Sequence, residues 1–136
     1  MNATVLLRVA ATISLLFTAG HSTGGLQKWS PMGENAVLKA MTDVRFDTMG
    51  ANRSYLDLFM GFGWSVSAAM LLQSVLLWQL ATLARKDAAS VRPMIAAFAL
   101  AQLASGIITW CFIFPLPALF SAVLLVVLVA AFVMAR

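Results

Sequence analysis

Charged residues are missing from three long stretches of this chain of 136 residues. Residues 9–20, 58–84 and 93–135 contain no Asp, Glu, Lys or Arg, and these four types make up only 10% of the chain. Apolar residues make up 62%, and the mean hydropathy is +0.92. An average soluble domain has about 25% charged residues. The composition therefore excludes an ordinary soluble domain and predicts an all-α membrane protein.

Cysteine and histidine each occur once, as Cys111 and His21. A single cysteine excludes an intramolecular disulfide. One histidine without a second ligand pattern cannot supply the three or four donors that a zinc site needs. We therefore expect no metal site and no cofactor, and Cys111 is expected to pack as a small apolar residue.

The apolar blocks of the chain are long enough for four membrane crossings, since one crossing needs about 20 residues. The first block, residues 3–20, has 18 residues and includes Arg8. We predict four transmembrane helices in a compact bundle, within a single membrane domain over residues 1–136. The last stretch is too long for one span and is divided by Pro115 and Pro117, because proline disfavours helix in the residue before it. The predicted spans cover residues 3–20, 56–83, 93–114 and 118–135.

The first span has an alternative interpretation as a secretory signal peptide, because it is short and ends in small residues. Arg8 lies inside the apolar stretch rather than before it, which favours an uncleaved span. Arg8 would lie one to two turns from the membrane face, where its side chain can reach the headgroups by snorkelling. The alternative for Arg8 is a functional charge inside the membrane.

Basic residues are unevenly distributed between the two sides that four spans define. The side with both termini and the 85–92 loop has five basic residues and one acid, whereas residues 21–57 have four of each. Basic residues favour the cytoplasmic side. We therefore expect both termini to lie in the cytoplasm. The basic excess is explained by topology and lipid contact, so no nucleic-acid binding is expected.

The long outer loop, residues 21–55, is expected to contain structure of its own. The segment from His21 to Gly25 is predicted to form a flexible exit from the first span. Ser30-Pro31 offers an N-cap followed by proline at the first helical position, which predicts a short amphipathic helix over residues 32–44. Its apolar residues at helical spacing are Val37, Met41 and Val44.

The end of this loop predicts a turn and then a capped helix. Gly50 and Asn52 are typical turn residues. Ser54 and Asp57 fit a capping box, in which Ser54 caps the second span and Asp57 returns to a free backbone amide. Asp57 is then also placed favourably at the positive end of the helix.

The run from Arg45 to Gly63 has the pattern RFDxMGxxRSYxDxxxGFG, and the pair Gly20-His21 ends the first span. In these residues the chain resembles an uncharacterised family of small four-helix bacterial integral membrane proteins. The resemblance implies a four-span fold in a bacterial cytoplasmic membrane. It implies no activity, so no catalytic residue is carried over from it.

Several polar and aromatic residues are expected at similar depth on the outer side, where the spans begin or end. They could hold a polar headgroup or transfer protons. The structural alternative is that the acid caps its helix, the aromatic residues anchor at the interface and the histidine binds a loop carbonyl. The candidates for ligand binding are His21, Arg53, Tyr55, Asp57, Trp64 and Trp110, with Cys111 nearby.

Small and polar residues recur within the spans and predict where helices pack, because they let backbones approach closely and form interhelical hydrogen bonds. The second span has such a stripe every four residues, and the third has a similar face. The predicted packing residues are Gly61, Ser65, Ala69, Gln73, Gln102, Ser105 and Gly106.

Three classes of function are compatible with this sequence. The first is a non-catalytic accessory or assembly module, whose partners are the lipid bilayer and other membrane subunits or further copies of the chain. The second is a binder of a hydrophobic small molecule such as a lipid or a quinone. The third is a membrane enzyme that uses the outer polar residues. The first requires the fewest assumptions, so a role other than catalysis is favoured.

Overall fold

The computed structural model describes residues 2–136 and is 78% helical. Four of its helices are long and apolar enough to cross a membrane, which confirms the predicted fold class. The elements in chain order are α1 (Ala3–Gly25), α2 (Ala36–Asp43), β1 (Arg45–Thr48), β2 (Ala51–Ser54), α3 (Tyr55–Ala84), α4 (Arg92–Phe112) and α5 (Pro115–Met134), with a 3₁₀ turn at Ala89–Val91 before α4. The four candidate spans are α1, α3, α4 and α5.

Helix α1 continues five residues beyond its predicted end, so His21 is helical and does not lie in a flexible exit. The helix ends in a Schellman motif. The Trp29 amide donates to the Gly24 carbonyl at 2.9 Å, and the Lys28 amide donates to the Gly25 carbonyl at 3.0 Å. Lys28 has a φ of 54°, the left-handed conformation that this motif needs. The chain therefore turns back sharply and brings Trp29 against the end of α1.

The break between α4 and α5 is confirmed, but α5 begins at Pro115 and not at residue 118. Phe114 is extended at the N-cap, as expected for the residue before a proline. Both Pro115 and Pro117 lie in the first turn of α5, where backbone amides have no partner inside the helix. The two prolines therefore start the helix and cost it no hydrogen bond.

The amphipathic helix of the loop is present as α2, but it is shorter than predicted and has a different cap. Asn35 caps it by accepting hydrogen bonds from the amides of Val37 and Leu38. The Ser30 hydroxyl donates instead to the Gly33 carbonyl at 2.6 Å, so Ser30 closes a turn and does not cap a helix. Leu38 is the buried residue of α2, whereas Val37 is 69% exposed.

The segment between α2 and α3 forms a β-hairpin that the sequence did not predict. Strands β1 and β2 are antiparallel, and Thr48 pairs with Ala51 across a two-residue turn. Met49 and Gly50 in that turn have φ values of 48° and 81°. Positive φ at both positions is the pattern of a type I′ turn. Gly50 is thus a turn residue as predicted, while Asn52 lies in β2 and not in the turn.

Contacts divide the chain into two compact units. We call Thr18–Met70 the loop unit, and the chain up to Phe17 together with Leu71–Arg136 the terminal unit. The terminal unit has an apolar core to which each of its four helices contributes a fully buried residue. These residues are Leu7, Leu77, Ile95 and Leu128, each 0% exposed. The start of α1, the end of α3, the start of α4 and the end of α5 therefore lie together.

The predicted packing stripe on α3 faces outward in this structure. Gly61, Ser65 and Ala69 are exposed, whereas Ser67 and Ser74 are 7% and 5% exposed. The buried serines have hydroxyl partners, since Ser67 lies at hydrogen-bond distance from His21 and Ser74 donates to Ser14. Hydroxyls in an apolar medium need such partners, and this requirement fixes the rotation of α3.

The other predicted packing residues lie at contacts between helices of the terminal unit. Gln73 donates to the Ser14 hydroxyl at 2.9 Å and accepts from the Gln102 amide at 2.8 Å, which connects α3 to α1 and α4. The Ser121 hydroxyl of α5 donates weakly to Ser105 of α4 at 3.4 Å. A Cβ atom on Gly106 would lie 3.5 Å from Ser121 Cβ, so the two backbones approach closely there.

Candidate functional site

Trp29 is the central side chain of the loop unit, although it was not among the predicted site residues. Its indole Nε1 donates to the backbone carbonyl of His21 at 2.9 Å. Its ring lies 5.3 Å from the imidazole of His21 and 5.2 Å from the indole of Trp64, measured between centroids. A third aromatic ring, Phe59, meets it edge-on at 6.5 Å. Trp29 therefore holds the returning chain against both α1 and α3.

Glycines provide the space that the Trp29 ring occupies. A Cβ atom on Gly63 would lie 2.6 Å from Trp29 Cη2, and one on Gly24 would lie 2.8 Å from Trp29 Cδ1. At Gly25 a Cβ atom would lie 2.8 Å from the ring of Trp64. These distances are shorter than any van der Waals contact, so larger residues at these positions require the rings to move.

His21 is held by the same group of residues. Its Nδ1 lies 3.0 Å from the Ser67 hydroxyl, and the two share a hydrogen bond. Its ring packs against Trp29, and its backbone carbonyl accepts from that indole. The predicted bond from the imidazole to a loop carbonyl is therefore replaced by a bond to a helical serine. His21 is half-buried and links α1 to α3.

Asp57 closes the capping box that the sequence predicts. The Ser54 amide donates to Asp57 Oδ2 at 2.8 Å, and the Asp57 amide donates to Ser54 Oγ at 3.1 Å. Arg45 Nη2 lies 4.0 Å from the same carboxylate oxygen. Both prediction and structure thus give Asp57 a complete structural role at the start of α3. A function that uses the Asp57 carboxylate as a reacting group is therefore less well supported.

The cap leads to a testable expectation. Ser54→Ala is expected to destabilise the protein by about 1 kcal/mol, because it removes the side-chain acceptor for the first turn of α3. Asp57→Asn is expected to have a much smaller effect, since an amide oxygen can still accept from the Ser54 amide. Unfolding in a titration with a denaturing detergent, followed by circular dichroism, measures both effects. A larger loss of stability for Asp57→Asn than for Ser54→Ala would contradict this account.

The remaining predicted residues of the loop side have partners on the hairpin. Tyr55 packs its ring 5.1 Å from that of Phe46 and is 54% exposed. Arg53 donates to the carbonyl of its neighbour Asn52 at 3.1 Å. Asn52 in turn donates to Asp47 across the hairpin at 3.0 Å. Arg53, Tyr55 and Asp57 therefore belong to the hairpin and the helix cap. His21 and Trp64 pack around Trp29 together with Phe59, and we call these four residues the Trp29 group.

Trp110 is part of the terminal unit, where it is 70% exposed and lines a groove between α4 and α5. Cys111, which was expected to pack as a small apolar residue, is also exposed and lines the same groove. The predicted ligand site is thus distributed over three places: the Trp29 group, the hairpin and this groove.

Across residues 2–136, no group of three or more His, Cys, Asp and Glu side chains is arranged to hold a metal ion. No protein-family model, curated protein or solved structure matches this chain. The resemblance carried by Arg45 to Gly63 therefore stays a prediction.

Proposed function

We propose that this chain is a non-catalytic membrane module that assembles with another membrane helix, either of a further subunit or of a second copy. The supporting observation is a long open groove between α4 and α5. The groove consists of three overlapping cavities of about 340, 600 and 350 Å³. The first two share Trp110, Ala118 and Ala122, and the first and third share Leu103 and Leu125. They therefore form one continuous surface along both helices.

Small residues from both helices line this groove among larger apolar side chains. Ala96, Ala99 and Gly106 come from α4, and Ala118 and Ala122 come from α5. Exposed leucine and valine on a membrane helix are covered by lipid and need no partner. Small residues differ, because they allow another helix backbone to approach closely and gain van der Waals contact. The groove thus favours a helix as its occupant.

Burial of the spans supports the same conclusion. Within an apolar segment of 18 residues in each span, the buried share is 11% for the span that contains α4. The corresponding share is 39% for α1 and 28% each for α3 and α5. Helix α4 also has polar residues on the side that faces α5 and α3, such as Gln102 and Ser105. The span least covered by its own chain is therefore one wall of the groove.

The charge distribution supports a placement of both termini in the cytoplasm, while the proposed bacterial cytoplasmic membrane rests on the resemblance carried by Arg45 to Gly63. The four helix ends of the terminal unit lie together, and the basic residues of that unit are Arg8, Arg85, Lys86, Arg92 and Arg136. Asp87 is the acid of that unit. A dense set of basic residues near span ends is retained on the cytoplasmic side.

A ligand-binding or enzymatic role is less well supported. Each would use His21, Tyr55 and Asp57 together at one site, yet each of these side chains has a different partner. His21 bonds to Ser67, Tyr55 packs on Phe46, and Asp57 caps α3.

Cross-linking through the native Cys111 tests the proposed assembly, because this thiol is exposed in the groove. Membranes that contain the protein are treated with a short bifunctional thiol reagent or a thiol-linked photo-cross-linker. We expect a discrete adduct, whose mass identifies either a second copy or another small membrane protein.

The matched control is Cys111→Ser combined with Ile108→Cys. Ile108 lies one turn earlier on α4 and is 55% exposed, but it does not line the groove. We expect the adduct to be weaker by at least about fivefold from position 108 than from position 111. Equal labelling from both positions, or lipid adducts alone at position 111, would contradict assembly through this face.

A further inference from the structure

A second groove lies in the terminal unit between α1 and α3, away from the α4–α5 face. It is an open cavity of about 350 Å³. Its lining contains one charged residue, Arg8, beside Thr12 and Trp78 among aliphatic side chains. A neighbouring cavity of about 180 Å³ shares Thr12 and Trp78 and continues to Leu15, Leu71 and Val75. The two cavities form one surface that is basic at one end and apolar along the rest.

Arg8 is held in place without a counter-charge. Its guanidinium carbon lies 5.1 Å from the centroid of the Trp78 ring, a cation–π contact. Its Nε is buried and has no hydrogen-bond partner among residues 2–136. The ion pairs formed within that range use other cations, namely Lys28, Lys39 and Arg45. A fixed, part-buried guanidinium that lacks an acid is electrostatically complementary to an anion.

The depth of Arg8 suits the phosphate of a lipid. Arg8 lies five residues inside the start of α1, and Trp78 lies six residues before the end of α3. At about 1.5 Å per residue, both lie roughly 7–9 Å from the same end of the terminal unit. An arginine at this depth reaches the headgroup region, and tryptophan is typical of that level. The apolar continuation along Leu15 and Val75 then runs toward the membrane centre.

We infer that this groove is a binding site for one anionic phospholipid, with its phosphate at Arg8, its glycerol region against Trp78 and an acyl chain along Leu15, Leu71 and Val75. The site differs from ordinary snorkelling, because the guanidinium is fixed by Trp78 and the acyl groove begins beside it. Basic grooves between helices commonly select anionic headgroups in this way. The inference is independent of the proposed assembly, which uses another face of the unit.

Native mass spectrometry of the purified full chain in mild detergent tests this site. Phosphatidylglycerol and phosphatidylcholine of the same chain length are supplied in equal amounts. We expect one retained phosphatidylglycerol per chain and a preference over phosphatidylcholine. Arg8→Gln is expected to reduce that preference roughly fivefold or more, the factor that one basic residue contributes at an anionic surface. Arg8→Lys keeps the charge without the planar guanidinium and is expected to retain part of the preference.

The matched control is Arg92→Gln. Arg92 also stacks on an aromatic ring, with its guanidinium 4.4 Å from the centroid of Phe132, but it lies outside the α1–α3 groove. This variant is expected to keep the preference, and an equal loss in Arg92→Gln would indicate only a general charge effect and overturn the inference. Circular dichroism and size exclusion establish that each variant is folded. Displacement of the lipid by millimolar inorganic phosphate would also overturn it, because a free anion would then suffice.

Discussion

Replacing Gly63 by alanine is expected to displace Trp29 and loosen the chain between α1 and α3. The added methyl group would lie 2.6 Å from Trp29 Cη2, and the ring is already packed against His21 and Trp64. Overpacking of this kind typically costs about 1–3 kcal/mol. The cost should appear as a lower free energy of unfolding in denaturing detergent and as faster cleavage by trypsin after Lys28 and Lys39, which lie in the released segment.

Gly61→Ala provides the matched control, because it lies two residues away on α3 and a Cβ atom there would meet nothing within 4 Å. Alanine is a better helix former than glycine, so Gly61→Ala is expected to be neutral or slightly stabilising. The double variant Trp29→Ala/Gly63→Ala should show no further loss beyond Trp29→Ala alone, since the clash is then gone. Equal effects of Gly61→Ala and Gly63→Ala would show that Trp29 does not depend on this glycine.

The parts of the fold that depend on neighbouring residues could be predicted from the sequence. The spans follow from uncharged length, because a helix must cross a fixed thickness of hydrocarbon. The capping box at Ser54 and Asp57 needs only a spacing of three residues. The break at Pro115 follows from the geometry of proline itself. In each case the determining feature lies within one continuous segment of the chain.

The parts that depend on distant residues could not be predicted. Trp29 is separated from Gly63 by more than thirty residues, and nothing local indicates that its ring fills the space beside that glycine. The rotation of α3 is likewise set by its partners on α1, since Ser67 pairs with His21 and Ser74 with Ser14. A regular stripe such as Gly61, Ser65 and Ala69 gives the period of a helix but not the side that its own chain covers.

The hairpin was not predicted for a different reason. A type I′ turn normally has Asn-Gly or Asp-Gly at its two central positions, whereas this turn has Met49-Gly50. Methionine rarely adopts positive φ, so the sequence signal was weak. Hydrogen bonds from Arg45 and Asn52 hold the strands together instead. The predicted site was affected as well, because Arg53, Tyr55 and Asp57 are organised by this hairpin.

Replacing Gln73 by leucine is expected to destabilise the terminal unit by about 1–3 kcal/mol. Gln73 bonds to Ser14 of α1 and to Gln102 of α4, so the change removes two interhelical hydrogen bonds. Each of the three residues lies 10 or 11 residues from the shared end of its helix, roughly 15–17 Å deep, near the middle of the hydrocarbon core. Such bonds contribute about 0.6 kcal/mol each, and the Gln102 amide also loses its acceptor where water is absent.

A double-variant cycle separates the bond from the packing. Gln73→Leu/Gln102→Leu replaces both amides by apolar groups of similar size, so it should be more stable than Gln73→Leu alone, because the orphaned amide is removed. Gln79→Leu is the control, since Gln79 is an exposed amide on the same helix near its end and should tolerate leucine. The free energies come from unfolding in mixed micelles. If the two single changes at positions 73 and 102 simply added, the two glutamines would not be energetically coupled, and this prediction would be wrong.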